Sequence, residues 1–322
     1  MGILAYLAIC IFWGLSSTSI KFGLEGIEVF TFSYFRFLTT SMILVIYNLI
    51  KGKSFFIKKT DFKVIFLSAT VMFCLNSMMI TFSTQRLDAG IIPIVLSLVP
   101  VVMVLLESLL EKKLLVGPIG MIGILGGIAG IGIISMGAGA GAGAISIAGL
   151  GFLAAGILCW SSGSIYLRHK KIETSMTVLL MYQALTPLLY YAVIVFARGG
   201  PVFEWNPAAF GGVLYMAIVD TIIGTACYVY LLKTWKMSIV ATYAYINPIV
   251  GLFGAYFLLG ESISMQKIAG MAVILFSVFL IQSDEKLRIK IVEIRKKRQK
   301  AIDKLPKKAR VIVEEIISLI SS

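Results

Sequence analysis

The sequence predicts an all-α polytopic membrane protein, with ten transmembrane helices arranged as two inverted five-helix repeats around a central cavity. Three observations carry that expectation. Hydrophobic residues make up 59% of the 322 and charged residues 14%, far from the roughly 45–50% and 25% of soluble domains. The apolar stretches run for about twenty residues without the alternation that barrel strands require. The second half of the chain repeats features of the first in the same order.

Uninterrupted apolar runs bounded by charges predict spans over 2–21, 28–50, 62–84, 89–110, 116–136, 146–167, 175–197, 208–232, 237–259 and 268–283. Residues 114–167 carry no charge, so "GAGAGAGA" at 137–144 divides the fifth span from the sixth. A Gly/Ala run of this kind is a flexible connector. The expected organisation is a first unit over 1–136, a linker over 137–145, a second unit over 146–283 and a tail over 284–322. "MGILAYL" lacks the basic region of a signal peptide and no small-residue cleavage site follows, so the first span reads as retained. Tyr6 stands where a myristoylation motif needs Ser or Thr.

The net charge is +13, and its placement matters more than its size. Twelve Lys/Arg follow the last span, and twelve more fall in the loops after spans 2, 4, 6 and 8. The alternate loops hold four, Lys21, Arg86, Arg198 and Lys267, and Arg36 lies inside span 2. By the positive-inside rule this is a multi-pass protein of the cell membrane with both termini cytoplasmic. The tail places apolar residues at 287, 291, 294, 302 and 305, then at 312, 316 and 320 after Pro306. That pattern fits basic amphipathic helices on anionic lipid headgroups, and tethering at the bilayer argues against nucleic acid.

Several function classes drop out. Cys10, Cys74, Cys159 and Cys227 all sit within spans with no CxxC spacing, and His169, in "RHKK", is the only histidine. No metal or other cofactor is expected. The chain contains no HExxH, GxSxG or nucleotide-binding glycine loop, which argues against an intramembrane enzyme and against direct use of ATP.

The repeat is read by sliding the chain on itself. "FWGLSSTSIKFG" (12–23) falls over "CWSSGSIYLRHK" (159–170), aligning Trp13 with Trp160 at an offset of 147, which also sets Arg36 over Gln183. "AGIIPIVLSLVP" (89–100) falls over "MSIVATYAYINP" (237–248), aligning Pro100 with Pro248. Five spans per unit is odd, so the second unit enters from the opposite side. Inverted repeats around a midplane site are a secondary-transporter architecture.

"IFWGLSSTSIKFGLE", "YFRFLTTSMIL", "LSLVPVVMVLLESLLEKK" and "YINPIVGLFGAYFLLGE", with the 5+5 layout, resemble the drug/metabolite transporter superfamily, EamA type, over about residues 1–283. The resemblance implies ten helices around a central cavity that handles small metabolites such as amino acids, often for export. It matches the acids after spans 4 and 9 to Glu111 and Glu261, and the basic residue of span 2 to Arg36. Asp220 and the basic tail lie outside the pattern.

Asp220 sits near the middle of span 8, where an ionised carboxylate facing lipid costs roughly 2.5–3.5 kcal/mol on insertion scales. It must face protein or water. Gly224 and Tyr228 follow at helical spacing, with Thr221 and Thr225 beside them, a polar stripe with room for a neighbour. Two readings of Asp220 stay open: proton uptake or binding of a substrate ammonium, and a protonated acid hydrogen-bonded to a neighbouring helix. Arg36, roughly 12 Å into span 2, is near enough to the surface to snorkel and is expected to pair structurally with carbonyls or an acid rather than contact substrate, with an anionic group in the cavity also within its reach. Glu107 is expected in an ion pair at the cytoplasmic end. "TYAYINPIV" offers Tyr243, Tyr245, Asn247 and Pro248 in span 9, where proline frees a carbonyl one turn earlier; Pro100 is the weaker mirror image. Trp13 with Ser17, and Trp160 with its own serines, suit either a cavity lining or close helix packing, and Asn76 aligns with Gly224.

The expected function is secondary transport of small organic metabolites, as an exporter of amino acids or related or aromatic compounds, by alternating access and with Asp220 as a candidate proton site. A channel or lipid-handling protein is the alternative. The expected partners are the lipid bilayer and a small-molecule substrate.

Overall fold

The structure is a computed structural model describing residues 1–112, 116–136, 146–170, 172–235, 237–240 and 242–303, without the side chains of 232, 233, 237, 238 and 285–303. The expected linker 137–145 and the tail beyond residue 303 lie outside the described residues. In chain order the helices are α1 (Gly2–Gly14), α2 (Ser16–Gly23), α3 (Val29–Ile50), α4 (Lys59–Thr84), α5 (Ile91–Leu110) and α6 (Pro118–Met136). They continue with α7 (Ile147–Arg168), α8 (Met176–Ala197), α9 (Pro207–Leu231), α10 (Met237–Val240), α11 (Tyr243–Leu259) and α12 (Met265–Asp303).

The described residues are all-helical and form no strand beyond one isolated bridge, Ile27 to Phe203. Eight of these helices are long and apolar enough to cross a membrane, and α1 with α2 makes a ninth if the bent pair is one span. The apolar α11 is shorter, at 17 residues. All eight coincide closely with spans read from the sequence.

The departures have specific physical causes. The first span is not one rod: α1 and α2 meet at 41°. Val250 and the Asn247 carbonyl approach Gly14 so closely that a Cβ there would meet them at 2.7 and 3.2 Å. Ser16 Oγ, which begins α2, lies 3.2 Å from the Phe12 carbonyl one turn back. In α4 and α9 the helix widens to π form over Thr70–Leu75 and Tyr215–Gly224. In α9 the Thr221 hydroxyl donates to the Met216 carbonyl, five residues back, at 2.7 Å. π segments of this kind concentrate at functional sites. α12 runs through the expected unit boundary at 283/284 to Asp303 without a break.

Two scaffolding pairs dominate. α6 packs along α12 through glycines: a Cβ on Gly130 would lie 2.5 Å from Ile274 and 3.1 Å from the Gly270 carbonyl. Such close backbone approach replaces the hydrophobic drive that lipid removes. Ile134, Ile274, Val278 and Ile281 are buried along this seam. α3 packs along α8, where Phe37 stacks on Tyr191 at 5.8 Å and 7°. One end of this second pair is tied by Arg198 to Glu28 at 3.0 Å and by Glu28 N–H to the Val202 carbonyl. The other is tied by Thr177, which donates to Asn48 at 2.7 Å, and by Lys58 to Glu173 at 2.5 Å.

Replacing Gly130 with leucine is expected to destabilise the detergent-solubilised chain by about 1–3 kcal/mol, the usual cost of overpacking. Thermal unfolding of parent and variant checks it, with Gly132→Leu, where a Cβ meets nothing within 4 Å, as the control.

Candidate functional site

Both α3 and α9 begin at the end of the molecule where Glu28 meets Arg198. Arg36 lies about 11 Å and Asp220 about 20 Å along their helices from that end, at 1.5 Å per residue. A long guanidinium arm and a short carboxylate close the difference. Arg36 therefore turns inward rather than snorkelling to the surface: its Nη2 is 3.2 Å from Asp220 Oδ2, with the two side chains 12% and 14% exposed.

The rest of the acid's surroundings come from the break in the first span. Ser16, the first residue of α2, donates its hydroxyl to Asp220 Oδ1, and the Trp13 indole N–H donates to the Asp220 backbone carbonyl at 3.1 Å. Arg36 Nη2 also donates to Thr221 Oγ1 at 3.1 Å, and its guanidinium lies 5.2 Å from the Phe37 ring centroid. Through its carboxylate and its backbone carbonyl, Asp220 thus ties α1, α2 and α3 to α9 at the point where the first span bends. Removing two charges from water costs several kcal/mol each, and mutual attraction with added hydrogen bonds offsets it. The cluster leaves donors unspent. Arg36 Nε and Gln183 Nε2 are buried without partners among the described residues. Gln183, Thr221 and Phe37 also border a cavity of about 10 Å³, room for at most one water.

On the other side of Trp13 the site is aromatic. The Trp13 ring lies 5.3 Å from Tyr228 and 5.2 Å from Tyr243, and the two tyrosines meet at 5.9 Å and 83°. Gly224 makes this possible, because a Cβ there would stand 2.6 Å from Trp13 Nε1. Asn247 adjoins the same group; with its amide nitrogen facing the carbonyls, it donates to Cys10 and Tyr243 at 3.1 Å each.

The structure brings together Asp220, Arg36, Trp13, Gly224, Tyr228, Tyr243 and Asn247, and separates the others. Asn76 does not share this space: its amide donates to the Gly156 carbonyl at 2.8 Å, between α4 and α7. Trp160 is 36% exposed and packs edge-on against Phe73 at 5.9 Å. Tyr245 packs against the cluster of Ile91, Val95 and Leu98. Ser17 donates to the Ala89 carbonyl at 2.9 Å. Pro248 lies inside α11, whereas Pro100 sits at the start of the second half of α5, after Ser97 and Leu98. Glu261 accepts from Ala89 N–H at 2.6 Å and Gly90 N–H at 3.0 Å, while Glu111 is exposed at the end of α7's neighbour α5. Glu107 pairs with Arg168 of α7.

Ser16 and Thr221, which complete the ion pair, were visible in the sequence only as members of polar runs. Nothing in the spacing sets Ser16 above Ser17; the bend at Leu15 does. The hydroxyls of Ser16 and Thr221 matter because each meets a charge.

Removing one charge strands the other. Asp220→Asn and Arg36→Gln are each expected to destabilise the chain by about 3–5 kcal/mol, and Asp220→Leu with Arg36→Met to recover most of that loss. Thermal unfolding of the two single variants and the double variant in one detergent checks the non-additivity.

Comparison with known proteins agrees with this architecture. The family model described as the EamA-like transporter family matches residues 1–136 and again 147–283. The chain is 26% identical over 284 residues to the inner membrane transporter YedA of Escherichia coli K12, an uncharacterized protein, covering 86% of this chain and 89% of that one. A Bacillus subtilis transporter, YvbV, is 23% identical over 286 residues, covering 88% and 92%. A Salmonella typhimurium protein named "Probable amino-acid metabolite efflux pump" is 26% identical over 147 residues, covering 42% and 48%. A solved crystal structure superposes with a TM-score of 0.63 at 15% identity, covering 89% of this chain and 98% of that one, which speaks to the fold alone. With both halves matched by one family model and relatives aligned over most of their length, the chain is a membrane transporter and belongs to the EamA-like transporter family.

Proposed function

We propose that the chain is a secondary transporter that exports small organic metabolites, amino acids and related or aromatic compounds among them, by alternating access. Its working site is the Asp220–Arg36 pair at the break of the first span. The observation that carries this reading is a net-neutral ion pair set deep in the bilayer with spare buried donors beside it. Intramembrane ionisable residues mark substrate or proton pathways, and discontinuous helices form the sites of many carriers. An α-amino or carboxyl group entering here exchanges partners with the pair, and the aromatic surface of Trp13, Tyr228 and Tyr243 receives an apolar side chain. Proton uptake on Asp220 releases Arg36 and resets the site. The printed name of the Salmonella relative supports the amino-acid class.

The architecture behind this proposal is ten spans in two inverted five-helix units, 1–136 and 146–283, joined by the linker 137–145 around a central cavity. Three features support it. The π segments of α4 and α9 stand at equivalent places in the two units. The main packing pairs are kept when the units are exchanged: α4 on α7 becomes α9 on α1 and α2, α5 on α7 becomes α11 on α1, and α3 on α8, α5 on α11 and α6 on α12 map onto themselves. Gly2 at the start of the first unit packs on Trp235, while its counterpart Gly149 packs on Leu87 at the opposite end. In this reading both termini are cytoplasmic, loops 24–28, 85–90, 198–206 and 260–264 are outside, and the basic tail rests on anionic headgroups.

Proteoliposomes loaded with an amino-acid panel at two pH values test the proposal. Saturable, competable efflux is expected from the parent, with Asp220→Asn slowed at least about ten-fold and insensitive to pH. An Asp220→Asn variant with the parent's rate and pH dependence contradicts it, and non-saturable flux makes the chain a channel.

A further inference from the structure

The same basic position caps a helix end at one end of the molecule and pairs with a carboxylate at the other. Lys21, on the last turn of α2, donates its ammonium to the Thr84 carbonyl at 3.0 Å and the Leu87 carbonyl at 2.9 Å, where α4 ends. A cation belongs there, because the last carbonyls of a helix lack intrahelical partners and carry its negative pole. Segment 84–90 is held from other directions too, by Ser17 on the Ala89 carbonyl, by Glu261 on the Ala89 and Gly90 N–H groups, and by Lys267 paired with Asp88 at 2.7 Å. The outer part of α4, Asn76–Thr84, packs against α2, α3 and α7.

The repeat offset of 147 carries Lys21 to Arg168, Thr84 to Leu231 and Leu87 to Thr234. At that end Arg168 reaches not to the end of α9 but to Glu107 on α5. The inner part of α9, Thr225–Thr234, packs on α1, on α10 and on its own π segment. The half-helix that carries Lys21 is eight residues long, is bent by 41° from α1, and rests at its base on Asp220 through Ser16. Beside it lies a cleft of about 320 Å³, bordered by Leu15, Thr18, Phe22, Gly212, Tyr215 and Leu258. α2 thus has a pivot at Leu15 and space on its flank.

We propose that Lys21 and Arg168 are alternating latches, and that the structure captures the state closed outside and free to open to the cytoplasm. In the opposite state Lys21 leaves the α4 carbonyls as α2 swings on Leu15, and Arg168 leaves Glu107 to cap the carbonyls of Leu231 and Thr234. Because Ser16 sits at the base of the same half-helix, breaking the Asp220 contact at the site loosens the outer latch. The proposal rests on the inverted-repeat reading above but not on any substrate.

Hydrogen–deuterium exchange of the full chain in lipid nanodiscs tests it without a transport assay. Lys21→Met is expected to raise exchange over residues 84–90 about ten-fold, the equivalent of losing one hydrogen bond to a charged donor, and to lower exchange over 231–235. Lys21→Arg, which keeps the charge and donors, restores the parent pattern. Arg168→Met leaves 84–90 as protected as in the parent. Unchanged exchange at 84–90 in Lys21→Met, or a rise at both ends alike, overturns the latch. If these shifts occur while no solute moves in proteoliposomes, the metabolite reading fails and the latch stands.

Discussion

Hydrocarbon cannot solvate a carboxylate, and the interior of this protein is arranged around that fact. Asp220 is held off the lipid by a guanidinium from α3, a hydroxyl from α2 and an indole that grips its own backbone carbonyl. Those contacts need the first span broken at Leu15, so that Ser16 and Trp13 both reach α9. They also need Gly224, so that the indole can lie against the helix. The bend, the π segment of α9 and the aromatic group beyond Trp13 all meet at that one charge.

Much of the architecture was legible because the bilayer imposes it. Span length and the bounding charges locate the eight long helices within a few residues, since a helix must cross about 30 Å and polar ends must stay wet. The break of the first span was not legible. Its cause is a long-range contact, Val250 and Asn247 on Gly14, which local composition does not encode. The π segments are likewise invisible, since nothing in the spacing of Thr70–Leu75 or Tyr215–Gly224 marks a change from α-helical form.

The site was partly legible. A midspan acid announces that it needs a partner, and Arg36 was the other intramembrane charge, so the two were separately conspicuous. What joins them is depth, since both α3 and α9 run from the same end and the longer side chain starts from the shallower position. Asn76 was misplaced by trusting the repeat: its counterpart Gly224 serves the aromatic group of one unit, while Asn76 ties α4 to the Gly156 carbonyl in the other. In the two-unit architecture proposed above, the main packing pairs are kept while the polar residues diverge. The same divergence sets Lys21 and Arg168 on different partners.

The ion pair is most directly tested as a working site by infrared difference spectroscopy of the full chain in bilayers, recorded with and without a saturating amino acid of the proposed substrate class. Ligand-induced bands from an ionised carboxylate are expected in the parent, lost in Asp220→Asn and kept in Asp88→Asn, whose acid lies beyond the end of α4, paired with Lys267. Difference spectra that are the same in the parent and in Asp220→Asn would mean that the pair only holds the helices together.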